Sequence, residues 1–533
     1  MERRLYTVRP GVWCLVGNGL SNQTFIDAPD GLIAIDTGES IEEMQSALAE
    51  IEAVSSRPVA AVIYTHFHYA AGTAALPDGI PVHGHRRIAI NLARITGEIA
   101  PVYSRGLVHQ FATALPPDGP DGIVGVGLGN LYRNPDHAPF TPGHRPVTEP
   151  FEGGERLTIA GLEVEVTSAP SDADDSVTLW FPQLRVAVHN ILWPTLFNVY
   201  AIRGEEYRDP RILLRGLDHL HSLGAEHLVG AHGPPLSGVD EIDRRVTRYR
   251  DSIQYLWDQT VRAMNRGLTD GEIAATVRLP DLYDDDYLTS EFYGVAEHHV
   301  RQIACGLRGW FDGDATRLFP LPPAERAARL IAGFGGPAEV RAQAVAALEG
   351  NDLRWALELA GWMVARADAD VADRQLLADC LRAVGQRTTA ANIRNWCLTR
   401  ARHLDGSGDL SRLYVHRLRP AQVTAMGPAG SANVLRVLVD PDRAAGVDGH
   451  VALRIGDADV VGLHVRNGVS VVTDGSGAAV TLHLGADDWA ALLSGGERWA
   501  DLAGSGRVRV EGDQAVADRV LACYDFPAQR PGR

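Results

Sequence analysis

Two short apolar runs near the start of the chain limit its fold more than any other feature. Gly31 to Ile35 reads as a buried strand and ends in Asp36-Thr37-Gly38. Ala60 to Tyr64 reads as a second strand and delivers Thr65-His66-Phe67-His68 at its end. Between them, Ser40 with Glu43 three residues on predicts a helix start of capping-box type, and Ile41, Met44, Leu48 and Ile51 give that helix one apolar face. Strand, helix, strand, with polar residues gathered where strands end, is the plan of a layered α/β domain. Strand-like runs at Leu162–Val166, Val177–Phe181 and Val186–Val188 extend it over the first 235 or so residues.

Residues 101–150 interrupt this pattern with Gly, Pro and Asp, including Pro116-Pro117-Asp118-Gly119-Pro120 and Gly125-Val126-Gly127-Leu128-Gly129. So long an irregular stretch inside a compact domain is usually functional or disordered, and its aromatic and His residues predict an ordered wall of the site. From about 240 to 405 the chain reads as helical. Ile253, Leu256 and Trp257 share a face, Gly267 is a terminator, and further helices fall near 337–348, 352–366, 370–384 and 387–402. No clean repeat is present, so a bundle forming a dimer interface is expected rather than a repeat array. Over the last 120 residues, strands are expected at Val434–Val439, Val451–Ile455 and Val480–Leu484, with helices near 486–494 and 514–523. That is a small α+β domain with no catalytic constellation.

A chain of 533 residues implies three or four domains. Its 50 basic and 67 acidic residues leave a net charge of −17 without a basic stripe, which argues against nucleic acid as a partner. All fifty basic residues are arginine. A phosphate-loop lysine, a Schiff-base lysine and a lysine general base are therefore excluded. The five cysteines are scattered and never form CxxC, against both a disulfide framework and a Cys-rich zinc site. No apolar run approaches the ~18 residues of a membrane span, and the first residues lack a secretory leader, so a cytoplasmic location is expected.

Twelve of the nineteen histidines precede residue 235. At a strand end, residues i and i+2 face the same side, so His66 and His68 can aim both imidazoles at one metal ion. His83/His85 repeat the spacing, and His219/His221 repeat it on a helix, where i and i+2 diverge. Those two pairs are expected to be structural or superficial.

The company of His66 and His68 is more specific. Thr65-His66-Phe67-His68-Tyr69-Ala70-Ala71-Gly72 after such a strand pair resembles the HxHxDH signature of the metallo-β-lactamase superfamily. Leu20-Ser21-Asn22-Gln23-Thr24-Phe25, Gly125–Gly129, Tyr200-Ala201-Ile202-Arg203-Gly204, the stretch from Arg250 to Thr260 and Gly309–Gly313 resemble the alkylsulfatase branch. The resemblance spans nearly the whole chain. It implies an αββα sandwich over residues 1–240, a helical dimerisation domain over 241–407 and a small α+β sterol-carrier-like domain over 408–533. It also implies a homodimer and a small anionic substrate with an apolar part.

The resemblance also implies a two-zinc site, from which this chain departs. Ala70 and Ala71 stand where the motif has Asp and His, and neither can bind a metal. The family's later His falls on His232 and its first acidic ligand on Asp172. Its second acid falls near His189-Asn190, where His189 is a substitute candidate. His83, His85, His137 and His144 are the candidates for replacing what Ala70 and Ala71 lack. The expected metal ligands are His66, His68, Asp172, His189 and His232, enough for one ion with an open position. Zinc is expected, with iron as the alternative. Arg250 stands where the family carries an arginine that grips sulfate, which guanidinium forks match well. Asp172, Tyr69 and Asn22 complete the candidate catalytic set. The first reading is a metal-dependent hydrolase of a sulfate or related ester. The alternatives are a mononuclear non-haem oxygenase or lyase, and a non-catalytic binder of apolar ligands.

Overall fold

The computed structural model describes residues 2–416 and 418–527. Seven strands, β1 (Arg4–Arg9), β2 (Val12–Val16), β3 (Gln23–Ala28), β4 (Gly31–Ile35), β5 (Val59–Ile63), β6 (Val82–His85) and β7 (Glu149–Phe151), form one sheet in sequence order. Six more form a second sheet: β8 (Arg156–Ile159), β9 (Leu162–Ser168), β10 (Val177–Phe181), β11 (Val186–His189), β12 (His227–Gly230) and β13 (Leu236–Ser237).

Alternation along the strands shows how the two sheets face each other. Val12, Cys14, Ile26, Ile33, Ile35 and Ile63 of the first sheet pack with Val164, Val166, Leu179, Val186, Val188 and Val229 of the second. The intervening residues Ala187 and Leu228 point the other way, against Leu213, Leu217 and Leu220 of the helix Pro210–Ser222. On the first sheet's side, the helix Ile41–Glu52 buries Met44, Ala47 and Ile51. Ser40 caps it by accepting from Glu43 N, but the reciprocal half of the box is absent. The Glu43 carboxyl instead accepts from Gln23 Nε2 at 2.9 Å and Glu39 N at 3.2 Å. An αββα sandwich results.

The helix Val239–Asn265 buries Ile242, Val246, Tyr249, Ile253 and Leu256, and its chain turns at Gly267, whose φ is +81°. These side chains share one apolar cluster with Leu20, Tyr69, Trp193 and Phe197 of the sandwich half. No break in packing therefore falls near residue 240. Residues 1–89 and 106–409 form one compact unit. Helices Pro323–Gly333, Pro337–Glu349, Leu353–Ala365, Val371–Gly385 and Ala391–Leu404 complete it. The irregular segment holds a helix at its start, Ala100–Gln110, and no strand from 111 to 148.

Residues 90–105 and 410–533 form a second unit, with Arg436 Nη1 3.4 Å from Glu98 Oε2 within it. Its sheet runs β16-β15-β14-β17-β18, from β14 (Gly449–Ile455), β15 (Val461–Arg466), β16 (Val469–Thr473), β17 (Val480–Leu484) and β18 (Arg509–Gly512). The strand expected at Val434–Val439 is absent: the helix Pro420–Leu435 and a 3-10 turn, Arg436–Leu438, occupy that stretch. Val434, Leu435 and Leu438 are buried while Val437 is 51% exposed, which is a helical and not an alternating pattern.

Cys14, Cys305, Cys380, Cys397 and Cys523 are free thiols, the first, third and fifth buried. No helix of the described residues is long and apolar enough to cross a membrane.

Candidate metal centre

Asp36, just past the end of β4, has a φ of +58° and turns its carboxylate into the interior. There it accepts from Thr65 N at 2.8 Å and Thr65 Oγ1 at 2.7 Å. Burial pushes this carboxyl up to about 7, against the hydrogen bonds from Thr65. Thr65 Oγ1 in turn lies 2.8 Å from His66 Nδ1. With its own proton on Asp36, the hydroxyl accepts from Nδ1–H, so His66 Nε2 is left bare and aimed outward. Burial lowers His66 to about 3, which keeps the ring neutral.

Asp172 lies between β9 and β10, and Asn190, just past β11, fixes it. Asn190 Nδ2 donates to Asp172 Oδ1 at 2.6 Å, and Trp193 Nε1 donates to Asn190 Oδ1 at 3.2 Å. Oδ2 is thereby left facing His68 Nδ1 at 3.1 Å and His66 Nε2 at 3.6 Å. Both imidazole nitrogens are buried, and His66 Nε2 makes no hydrogen bond. The three donor atoms lie within 4.8 Å of one another. A tetrahedral ion with bonds of about 2.0–2.2 Å needs donors roughly 3.3–3.6 Å apart, so His66, His68 and Asp172 fit one divalent metal.

The charges fit as well. Burial would lower His68, but Asp172 and Glu205 raise it to about 9, so without a metal a proton occupies the gap between two carboxylates. Despite burial, His66 and His68 hold Asp172 well below the usual carboxylate range. A cation in that gap replaces the proton.

The remaining expected ligands stand apart. His232 follows β12, and its Nδ1 donates to Leu20 O at 3.0 Å. The Tyr69 ring stands edge-on to both His66 and His232, with centroids 4.9 and 5.4 Å away. His232 therefore meets the phenol and not the triad. His189 is a correction too: its Nδ1 faces Ile191 N at 3.4 Å and Leu192 N at 3.5 Å, and burial lowers it to about 3. Its ring packs on the backbone at Gly230, where an added Cβ would sit 3.3 Å from Cε1. None of His83, His85, His137 or His144 joins the three-residue cluster, the only such group among the described residues.

Asn22 is a brace rather than a pocket group, since its Nδ2 donates to Gly230 O at 2.8 Å and Gly233 O at 2.7 Å. Those bonds hold the loop that carries His232. Arg250 is the clearest displacement. Its side chain is half-buried on the helix, with Nε on Asp218 Oδ1 at 2.8 Å and the rest of the guanidinium on Asp251 and Gln254.

The arginines that do approach the triad are Arg203 and Arg208. Both grip Glu205: Arg203 Nη2 on Oε1, and Arg208 Nη2 on Oε2 at 2.7 Å. Glu205 Oε1 also lies 3.5 Å from His68 Nε2. Burial would raise this carboxyl, yet Arg203, His68 and Arg208 hold it well below its usual range. Glu205 and Arg208 were not singled out from sequence. Their stretch, Arg203-Gly204-Glu205-Glu206-Tyr207-Arg208-Asp209, is irregular and dense in charge, which ordinarily reads as a solvated loop.

Comparisons with known proteins agree with this architecture. Residues 16–189 match the metallo-beta-lactamase superfamily, 269–407 the family described as alkyl sulfatase dimerisation, and 417–530 that described as alkyl sulfatase C-terminal. A linear primary-alkylsulfatase of a Pseudomonas strain is 33% identical over 94% of this chain and 98% of its own length. An (R)-specific secondary-alkylsulfatase of Pseudomonas is 27% identical over 89% of this chain and 73% of its own length. The solved structure of the stereoselective inverting sec-alkylsulfatase Pisa1 from Pseudomonas superposes with a TM-score of 0.86 at 26% identity. That match covers 98% of this chain and 84% of the other. The chain belongs to the alkylsulfatase family, metal-dependent hydrolases built on the metallo-β-lactamase fold.

Proposed function

We propose that the protein hydrolyses the sulfate ester of an apolar alcohol with a single divalent metal ion, zinc, held by His66, His68 and Asp172. The convergence of two imidazole nitrogens and one carboxylate oxygen on a single point carries this reading. An ion bound there supplies a water of lowered pKa and a Lewis-acidic contact for an ester oxygen. The protein's own part is to fix those donors through Asp36, Thr65 and Asn190. Tyr69 retains its proton, because burial raises its phenol well above its ordinary value. The similarity to alkylsulfatases supports a sulfate ester as substrate.

The test is metal content per chain, by elemental analysis, together with hydrolysis of dodecyl sulfate. About one zinc per chain is expected, with metal and turnover lost together in His66→Ala. Two metals per chain, or retained turnover in His66→Ala, would overturn the reading. Two histidines and one carboxylate are also the donor set of non-haem iron enzymes, so about one iron in place of zinc would favour oxygen chemistry.

The same proposal includes a homodimer. Trp310, Leu318 and Phe319 are 71%, 47% and 95% exposed within the segment that matches the dimerisation family. So much exposed apolar surface suits burial against a second copy. The C-terminal unit is proposed as a sterol-carrier-like module for the apolar part of the substrate. It contains a groove of about 500 Å³ lined by Val437, Val469, Val471 and Val472 together with Asn433, Arg436 and Ser470.

A further inference from the structure

Glu205 has no place in the metal-holding triad, yet its side chain is only 5% exposed and meets two guanidinium groups and the His68 ring. Burying a carboxylate this way is costly unless its partners are held in place. The two arginines are anchored independently of it. Arg208 donates from Nη1 to Asn198 O at 2.7 Å and lies over the Trp193 ring at 5.5 Å. Arg203 lies over the Phe111 ring at 5.5 Å, and its backbone N–H is fixed by Gln110 Oε1 at 3.2 Å. An added Cβ on Gly106 would fall 1.9 Å from Arg203 O, so that backbone is closely packed as well.

Glu205 itself is carried on irregular chain. No helix or strand covers residues 190–209, and the turn before it is made by Gly204 at a φ of +91°. Rotation about the Glu205 side chain's own bonds would carry its carboxylate away without moving the backbone of either arginine. Its departure would leave two buried guanidinium groups pointing at one locus, one imidazole away from the metal-holding donors. Paired guanidinium forks bind tetrahedral oxyanions as readily as carboxylates.

We propose that Glu205 is a resident counter-anion, seated between Arg203 and Arg208 where the anionic group of a substrate binds, and that it must leave when that group enters. The exchange is one of monoanion for monoanion, so the charge of the buried cluster is conserved for a sulfate monoester. Glu205 thereby weakens the grip on free sulfate, the product, and sets the specificity of the site for anions that can displace it. This inference rests on the sulfate-ester reading for its substrate, but its binding test does not.

The test is calorimetric titration of inorganic sulfate into the metal-loaded full-length protein and three variants. Glu205→Gln should bind sulfate at least about tenfold more tightly than the unaltered protein, by removal of a competing charge. Glu205→Asp, which keeps the charge but shortens the reach, should gain less. In Glu205→Gln/Arg208→Gln the gain should disappear. Sulfate affinity within twofold of the unaltered protein in both single variants, each folded by its thermal midpoint, would overturn the proposal. Hydrolysis of dodecyl sulfate is assayed in parallel. Tighter sulfate binding with no hydrolysis by any form would keep the counter-anion and remove the sulfatase reading. Hydrolysis with unchanged sulfate affinity would do the reverse.

Discussion

The hydroxyl of Tyr69 stands 3.2 Å from Nε2 of His232, so that nitrogen's partner is the phenol and not a residue of the triad. Because Nδ1 of His232 donates to Leu20 O, Nε2 is bare and accepts the tyrosine's proton. Burial lowers His232 to about 4, so the ring is neutral and the bond runs from phenol to imidazole. Tyr69→Phe keeps the packing and strips the donor from a buried acceptor. A loss of about 1–3 kcal/mol is expected, read from urea denaturation of the metal-free protein. An unshifted midpoint would mean that the pair contributes nothing to the fold.

Thr65 touches no substrate or metal, yet it joins Asp36 to the ring of His66. Thr65→Val preserves shape and β-branching while removing the hydroxyl that fixes the tautomer. Metal affinity should fall by about 10–100-fold with all three ligands still present, measured by competition with a chromophoric chelator. Equal affinity would show that the ring is oriented by packing alone.

Glu43 offers a pH-dependent stability unconnected with metal. Burial, with the charge of Glu39, pushes its carboxyl up to about 8 from an ordinary 4.5. The folded state therefore keeps a proton that the unfolded chain releases. Stability from this group is full below about 4.5 and is lost as pH rises through about 8. Glu43→Gln, neutral at every pH, should flatten the fall in urea midpoint between pH 5 and 8.5. A parallel fall in variant and unaltered protein would assign the slope to another group.

Arg250 is bound up with Asp218, Asp251 and Gln254 on the helix surface. Exposed pairs of this kind contribute about 0–1 kcal/mol. Arg250→Ala is expected to change KM and kcat for dodecyl sulfate by less than about twofold. A tenfold rise in KM would return the residue to the site.

The strands that frame the site were legible because their sequence is one-valued. Gly31–Ile35 is a continuous apolar run and Val177–Phe181 is one broken only by Thr178, and both appear in the structure with those limits. His66 and His68 were legible because two imidazoles two residues apart at a strand end have one direction in which to point. Asp172 came only from resemblance, since one carboxylate among Asp172, Asp174 and Asp175 looks like another. What selects it is Asn190, eighteen residues away, and no local pattern predicts that bond. The run Val434–Val439 misled because five apolar residues of six, broken only by Arg436, satisfy both periods. The packing of Val434, Leu435 and Leu438 into one side decides for the helix. Arg250 lies inside one helix and Arg208 just before another, and only the fold distinguishes the part-exposed one from the buried one.

Gln110 gives the partition of the chain a different meaning. Its side chain accepts from Arg203 N and donates to Tyr293 Oη at 2.7 Å, and its carbonyl accepts from Asn395 Nδ2 at 2.9 Å. Asn395 also donates to Gly125 O at 3.2 Å, pinning the glycine-rich stretch. The arginine beside the metal-holding triad is thus tethered to residues nearly two hundred positions downstream. A shortened chain ending near residue 240 would inherit every donor for the metal and lose the fixed ends of the loops around them. In this lineage the helical segment cannot be shuffled away from the sandwich, because heredity of the site requires both.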